Sequence, residues 1–243
     1  MRTLAVNRQL ASNRSLWSGF AIQPDGSQSY ASLGTLGNFG SNLGSGFYCS
    51  FQIKTTQTTE GYFFGEFNEA SSQEITVLAN QAGNGIVTIY MQDANNKSLS
   101  AQSTSATNIN NGSVHSVVVT IIPSTNTITL SIDGSSIPIT YTNQHTPATF
   151  NNFTSSFYLG GESRYGLGNP IACTLDNFQI GTSSSNLYGQ YMGIYQKGTG
   201  TTLHDSSGNG NDGTLEGSPV PPWVLGFGSG ARFNLASGRS LHP

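Results

Sequence analysis

Four oxygen-bearing side chains near the end of the chain have the spacing of an ion-binding loop. Asp205, Ser207, Asn209 and Glu216 form the pattern Asp-x-Ser-x-Asn-Gly-x5-Glu. A calcium loop uses alternate side chains and a closing carboxylate to supply six to eight oxygens. Ca2+ is therefore the one cofactor the sequence suggests, and these four residues are its candidate ligands. The flanks argue for a plainer reading. Residues 198–202 and 217–219 are rich in Gly, Thr, Ser and Pro, which are poor material for the flanking helices of such a site. A Gly/Asn-rich turn whose side chains cap its own backbone fits as well.

Catalytic chemistry finds little to work with. Glycoside hydrolysis needs two carboxyls on either side of the scissile bond. Glu66 and Glu69 are three residues apart, so a regular strand aims them at opposite faces, and they read as solvated rim residues. The four histidines, His115, His145, His204 and His242, lack zinc-ligand spacing. There is no serine elbow, phosphate loop or Cys–His pairing. No catalytic residue is assigned, and the chain reads as non-enzymatic. Cys49 and Cys173 read as two buried thiols in preference to a disulfide. For ligand contact the best segment is 162–169, where Arg164, Tyr165 and Asn169 place a guanidinium, an aromatic ring and an amide on one loop.

The elements that position these residues read as strands. Only 9% of the 243 residues are charged and 30 are Gly, which favours strands and turns over helices. The 13 Phe and 10 Tyr supply a core and argue against disorder. A net charge of −3 gives no field for nucleic acid. No stretch is long and apolar enough to insert in a membrane. Residues 1–10 contain no apolar signal-peptide region, so the ordinary secretory route is not expected.

Strands are expected at 47–53, 62–67, 75–79 and 86–91. Another is expected at 114–122, where a near-continuous apolar run suggests a central strand. The alternation at 127–132 ends in the hairpin turn Asp133-Gly134, with 137–141 as its partner. Further strands are expected at 156–160 and 174–180. Residues 32–46, with glycine after every second or third position, read as a looped rim. Residues 1–29 read as an N-terminal arm whose Arg2, Arg8, Arg14 and Trp17 are candidate assembly contacts. The reading is all-β: a two-sheet antiparallel β-sandwich, or jelly roll.

Four pieces of sequence resemble a laminin-G-like, concanavalin A-like domain. They are Phe47-Tyr48-Cys49-Ser50-Phe51-Gln52-Ile53-Lys54, then 114–120 with Ile132-Asp133-Gly134, then 157–161 with 175–180, and finally 203–215 followed by Trp223 and 230–234. The resemblance implies two antiparallel sheets that bind carbohydrate or protein at the loop rim or concave face. Glycanases of this broad fold carry a Glu-x-Asp-x-x-Glu run that this chain lacks. In the family, the fourth piece opens the domain; here it is almost last. The expected organisation is thus an arm at 1–29, a laminin-G-like core at 30–182, and a segment at 183–243 that completes its own sandwich or is exchanged with a neighbouring subunit.

Three functional readings follow. The first is a non-enzymatic lectin-like protein of the virion surface: a phage capsid decoration, head fibre or tail protein. Its partners would be copies of itself, other virion proteins and a cell-surface glycan. The second is a purely structural capsid cement. The third is a carbohydrate-binding module of a bacterial surface protein or polysaccharide-degrading enzyme, which would place it extracellularly or on the cell surface.

Overall fold

A computed structural model describes residues 19–68, 71–163 and 167–227. Short extended segments dominate, as the composition requires. In chain order they are β1 (Phe20–Ile22), β2 (Tyr30–Ser32), the one-turn helix α1 (Phe39–Asn42), β3 (Phe47–Thr55), β4 (Gly61–Asn68), β5 (Gln73–Ala79), β6 (Val87–Gln92), β7 (Ser98–Ser103) and β8 (Val114–Ile122). They continue with β9 (Thr127–Ile132), β10 (Ser135–Ser136), β11 (Ile139–Gln144), β12 (Tyr158–Leu159), β13 (Cys173–Ser183), β14 (Asn186–Tyr191), β15 (Thr202–Leu203), β16 (Gly213–Glu216) and β17 (Trp223–Leu225). No helix among the described residues is long and apolar enough to cross a membrane.

Two antiparallel sheets face each other. Sheet one runs β10-β9-β8-β3-β13-β1-β17, and β14 also pairs with β13. Sheet two runs β11-β7-β6-β5-β4-β12-β2-β16-β15. Period-two alternation sends one side of each strand into the shared core. Phe47, Phe51, Phe63, Phe64, Phe157 and Phe178 fill it with Ile75, Val77, Ile89, Val117 and Val119. The rings meet in tilted and edge contacts, such as Phe64–Phe178 at 5.5 Å between centroids. Each such ring contributes roughly 1.5–3 kcal/mol through burial.

Several expectations need correcting. The apolar run 114–122 is half-exposed, not buried on both faces: β8 alternates, and Val114 and Ile122 are over 40% exposed. Residues 137–141 do not form the second strand of the β9 hairpin. Only Ser135–Ser136 and the Ile137 N–H, which donates to the Leu130 carbonyl, pair back on β9; the chain then crosses to sheet two, where β11 pairs with β7. Strand β7 itself went unpredicted because Leu99 and Ala101 are its only apolar residues. Residues 20–22, expected within an arm, belong to the sandwich instead, since β1 lies between β13 and β17. Three residues are too few to show a period. The arm contacts proposed at Arg2, Arg8, Arg14 and Trp17 lie outside the described residues.

The late segment works on both sheets. β16 pairs with β2 and β15 with β16, extending sheet two. β17 pairs with β1, extending sheet one. Between them Gly217 passes close to the β1–β2 turn. A Cβ there would lie 2.0 Å from the Gln28 carbonyl oxygen, and its φ of +114 suits glycine alone.

Candidate functional site

The side chains that β5 turns outward form the floor of a groove on sheet two. Ile75, Val77 and Ala79 enter the core, while Glu74, Thr76 and Leu78 face the other way. Register places them between side chains of β4 and β6, giving the rows Tyr62–Leu78–Thr88, Gly65–Thr76–Tyr90 and Phe67–Glu74–Gln92. Glu74, Thr76 and Leu78 are only 7, 1 and 2% exposed. Their neighbours therefore stand above them as walls. The groove encloses about 430 Å³, with Ser72 and Asn96 towards one end and Gln81 towards the other.

Its polar end is organised. The Gln92 Nε2 donates to the Ser72 carbonyl at 2.6 Å and to Asn96 Oδ1 at 3.3 Å. The Tyr90 hydroxyl donates to Gln92 Oε1, which holds the ring upright beside Thr76. Tyr62, Phe67 and Tyr90 thus frame a floor that offers a carboxylate, a hydroxyl and an apolar methyl group in sequence. Aromatic walls with a few convergent polar groups suit a ligand with both apolar faces and hydroxyls.

On the β4 side, residues 162–163 and 167–169 of the loop that follows β12 flank the groove. A Cβ on Gly65 would lie 3.0 Å from Thr76 Cγ2 and 3.1 Å from Glu162 Cβ and Cγ, so the buried Glu162 side chain lies over this glycine. Glu162 and Gly168 exchange backbone hydrogen bonds at 3.1 and 2.8 Å. The Phe67 N–H donates to Ser163 Oγ at 3.1 Å, and the Tyr62 N–H to the Asn169 carbonyl at 3.0 Å. The loop is thereby tied at both ends to strand β4, at residues that line the groove.

Glu66 departs from the sequence reading. It is fully buried, not a solvated rim residue, because its register partner is the core residue Ile75. Burial pushes its carboxyl up to about 10, and the negative charges of Glu74 and Glu162 push the same way; Ser155 pulls against them. No hydrogen bond of normal geometry reaches either carboxyl oxygen.

The chain was compared with known proteins. No family model matches it, and no curated protein does. Solved structures do. A putative carbohydrate binding protein from Bacteroides ovatus is similar over 86% of this chain, with a TM-score of 0.61 and 12% identity. A heptameric SAP-like pentraxin from Limulus polyphemus matches over 88%, with a TM-score of 0.53 and 8% identity. The LG1-3 region of the laminin α2 chain matches over 82%, at 0.50 and 15%. The fold is a concanavalin A-like jelly roll. The chain spans 60% of the Bacteroides protein and 35% of the laminin fragment, against 97% of the pentraxin.

The jelly roll disperses the other residues singled out from sequence. Arg164 and Tyr165 lie outside the described residues, as does Glu69. Asn169 is exposed, and its amide donates to Glu60 Oε1 at 2.8 Å. Asp205, Ser207 and Asn209 do meet, in a self-capping turn. Asp205 accepts from the Ser207 and Asn211 backbone and from Ser207 Oγ, and Ser207 Oγ accepts from the Asn209 N–H at 3.2 Å. Glu216 is held elsewhere, accepting from the Tyr30 hydroxyl at 2.8 Å on the outer side of β16 and β2. Among the described residues no group of three or more His, Cys, Asp or Glu side chains is placed to hold a metal ion.

The same turn seals the jelly roll's free strand β14. Asn209 and Asn211 amides donate to the Leu187 and Tyr188 carbonyls, and Asp205 accepts from the Gln190 N–H. Cys49 and Cys173 are free and buried; they lie on paired strands but opposite Ile180 and Thr55. His115 is anchored within sheet one, with its ring nitrogens at 2.8 Å from Asp133 Oδ2 and 3.0 Å from Asn111 Oδ1. The groove itself escaped sequence reading. The signal lay in the outward half of β5 and β6, where Glu74, Thr76, Tyr90 and Gln92 alternate with core residues.

Proposed function

We propose that the chain is a non-enzymatic, lectin-like module that holds a glycan in the outer groove of sheet two. The observation that carries this reading is the frame of Tyr62, Phe67 and Tyr90 around the Glu74–Thr76–Leu78 floor. A pyranose ring has an apolar face for the aromatic walls and hydroxyls for Glu74 and Gln92. Likeness to a putative carbohydrate binding protein at the level of fold supports it. The setting we infer is the surface of a virion, as a decoration, head-fibre or tail protein associated with its own copies. A surface of low charge, rich in Ser, Thr and Asn, is consistent with that setting.

A glycan array followed by calorimetric titration of the best binder tests the glycan reading. The Tyr90→Ala variant should weaken binding by roughly thirtyfold, the effect of losing an aromatic anchor of about 2 kcal/mol. Binding by no glycan sinks the reading. The setting is tested separately, by mass spectrometry of purified particles from the source.

A further inference from the structure

We propose that two copies of this chain associate through the outer face of sheet one, about a twofold axis that passes through Val118 of β8. This names a surface for the self-association proposed above and does not depend on the glycan reading. The outward positions of β8 are Val114, Ser116, Val118, Thr120 and Ile122. Three of them are aliphatic, on a face where an antiparallel sheet ordinarily turns polar residues to water. Val114 and Ile122 are 41 and 43% exposed. The flanking outward positions are Tyr48, Ser50, Gln52 and Lys54 on β3, and Thr127, Thr129 and Ser131 on β9. Lys54, at one end, carries the only charge among the outward positions of these three strands.

The order of these side chains points to a second copy as the occupant. Along β8 they run aliphatic, hydroxyl, aliphatic, hydroxyl, aliphatic, which reads the same in both directions. A twofold axis through Val118 therefore lays Val114 on Ile122 of the partner subunit and Ser116 on Thr120 of the partner subunit. It also sends the two Lys54 ammonium groups to opposite ends. An isologous contact requires such self-complementarity, and interface cores are depleted of charge. Several polar neighbours already pair within the sheet, so covering them costs little. The Thr120 and Thr129 hydroxyls lie 2.7 Å apart, Ser50 Oγ donates to Gln179 Oε1 at 3.3 Å, and Asn177 Nδ2 donates to Gln52 Oε1 at 2.6 Å. At about 4.8 Å per strand and about 3.3 Å per residue, β9, β8, β3 and β13 cover roughly 19 by 30 Å along the nine residues of β3 and β8, or about 1,100 Å² over two copies. That reaches the lower bound of a specific interface. The grooves on sheet two then face outward, away from each other.

The experiment is light scattering of the full chain over a concentration series reaching about 100 µM, since an interface of this size can be as weak as micromolar. A dimer is expected. Val118→Lys brings two like charges together on the axis and should raise the dissociation constant on the order of a hundredfold. Circular dichroism checks that the variant is folded, and Ile122→Lys, at a more exposed position, serves if it is not. The register is read by cross-linking. Cys49 and Cys173 are buried, so Val118→Cys supplies the exposed thiol. A short bismaleimide should join two Val118→Cys copies but not two Val114→Cys copies, whose thiols would lie about 26 Å apart. A monomer throughout the series overturns the proposal. A dimer that survives folded Val118→Lys or Ile122→Lys places the contact on another face and overturns it as well. Cross-linking at 114 as readily as at 118 overturns the twofold register. Val118 lies on the sheet opposite the groove, so this proposal and the glycan reading fail separately.

Discussion

Glu66 and Asp93 are both fully buried carboxyls, yet they titrate in opposite directions because their surroundings differ. Asp93 is opposed by burial, but the Ala148, Thr149, Lys97 and Asn95 N–H groups all donate to it, at 2.9–3.1 Å, and hold it below the usual range. Its contribution is present above the unfolded carboxyl pKa and is lost as pH falls through the lowered folded value. Asp93→Ala should cost about 3 kcal/mol in urea unfolding at pH 7, since it orphans four backbone donors that close one end of sheet two. Glu66 binds its proton more tightly folded than unfolded, up to about pH 10. Stability should therefore fall by about 1.4 kcal/mol per unit as pH rises above the unfolded carboxyl value. Calorimetric melting from pH 5 to 9 should show this slope, and Glu66→Gln should flatten it and melt higher at pH 9. A carboxyl facing Ile75 was not readable from the sequence. Spacing between Glu66 and Glu69 says which faces alternate but not which face is the core.

At the level of elements, most long strands declared themselves and most short ones did not. β3, β4, β5, β8, β9 and β13 carry six or more residues of alternating or aromatic sequence, enough for a period to show. β1, β10, β15 and β17 hold two or three residues each, and only their partners define them. Pairing partners were equally hidden. Residues 137–141 look like the return strand of a hairpin, but pairing with β9 ends at Ile137, whose N–H donates to the Leu130 carbonyl at 2.8 Å; the Pro138 carbonyl already accepts from the Thr104 N–H beside β7, and the chain crosses between sheets. β17 illustrates how a short strand can still matter. Trp223 pairs with Ile22, packs against the core, and donates its indole N–H to the Gly200 carbonyl at 2.8 Å. Trp223→Ala should lower stability by about 2 kcal/mol, from lost burial and an unmet carbonyl, measured by denaturant titration followed by far-ultraviolet circular dichroism.

At the scale of the whole molecule, strands from the two ends of the chain sit side by side in both sheets: β1 with β17, and β2 with β16. A chain stopped after Gly217 would keep β16 but leave one edge of β1 open. Open edges recruit other strands, so that truncated protein should elute as larger and more heterogeneous species than the longer chain in size-exclusion chromatography with light scattering. The groove lies on β4, β5 and β6, well inside the sheet, and the truncated protein should retain glycan binding wherever it stays folded. Such end-to-end pairing also sets the timing of synthesis. A growing polypeptide presents β1 and β2 long before their partners β16 and β17. The two early strands must wait while all the intervening strands are made, and contacts this distant in sequence form slowly. The sandwich can thus close only after Leu225 has cleared the exit tunnel, and until then β1 keeps an unpaired edge.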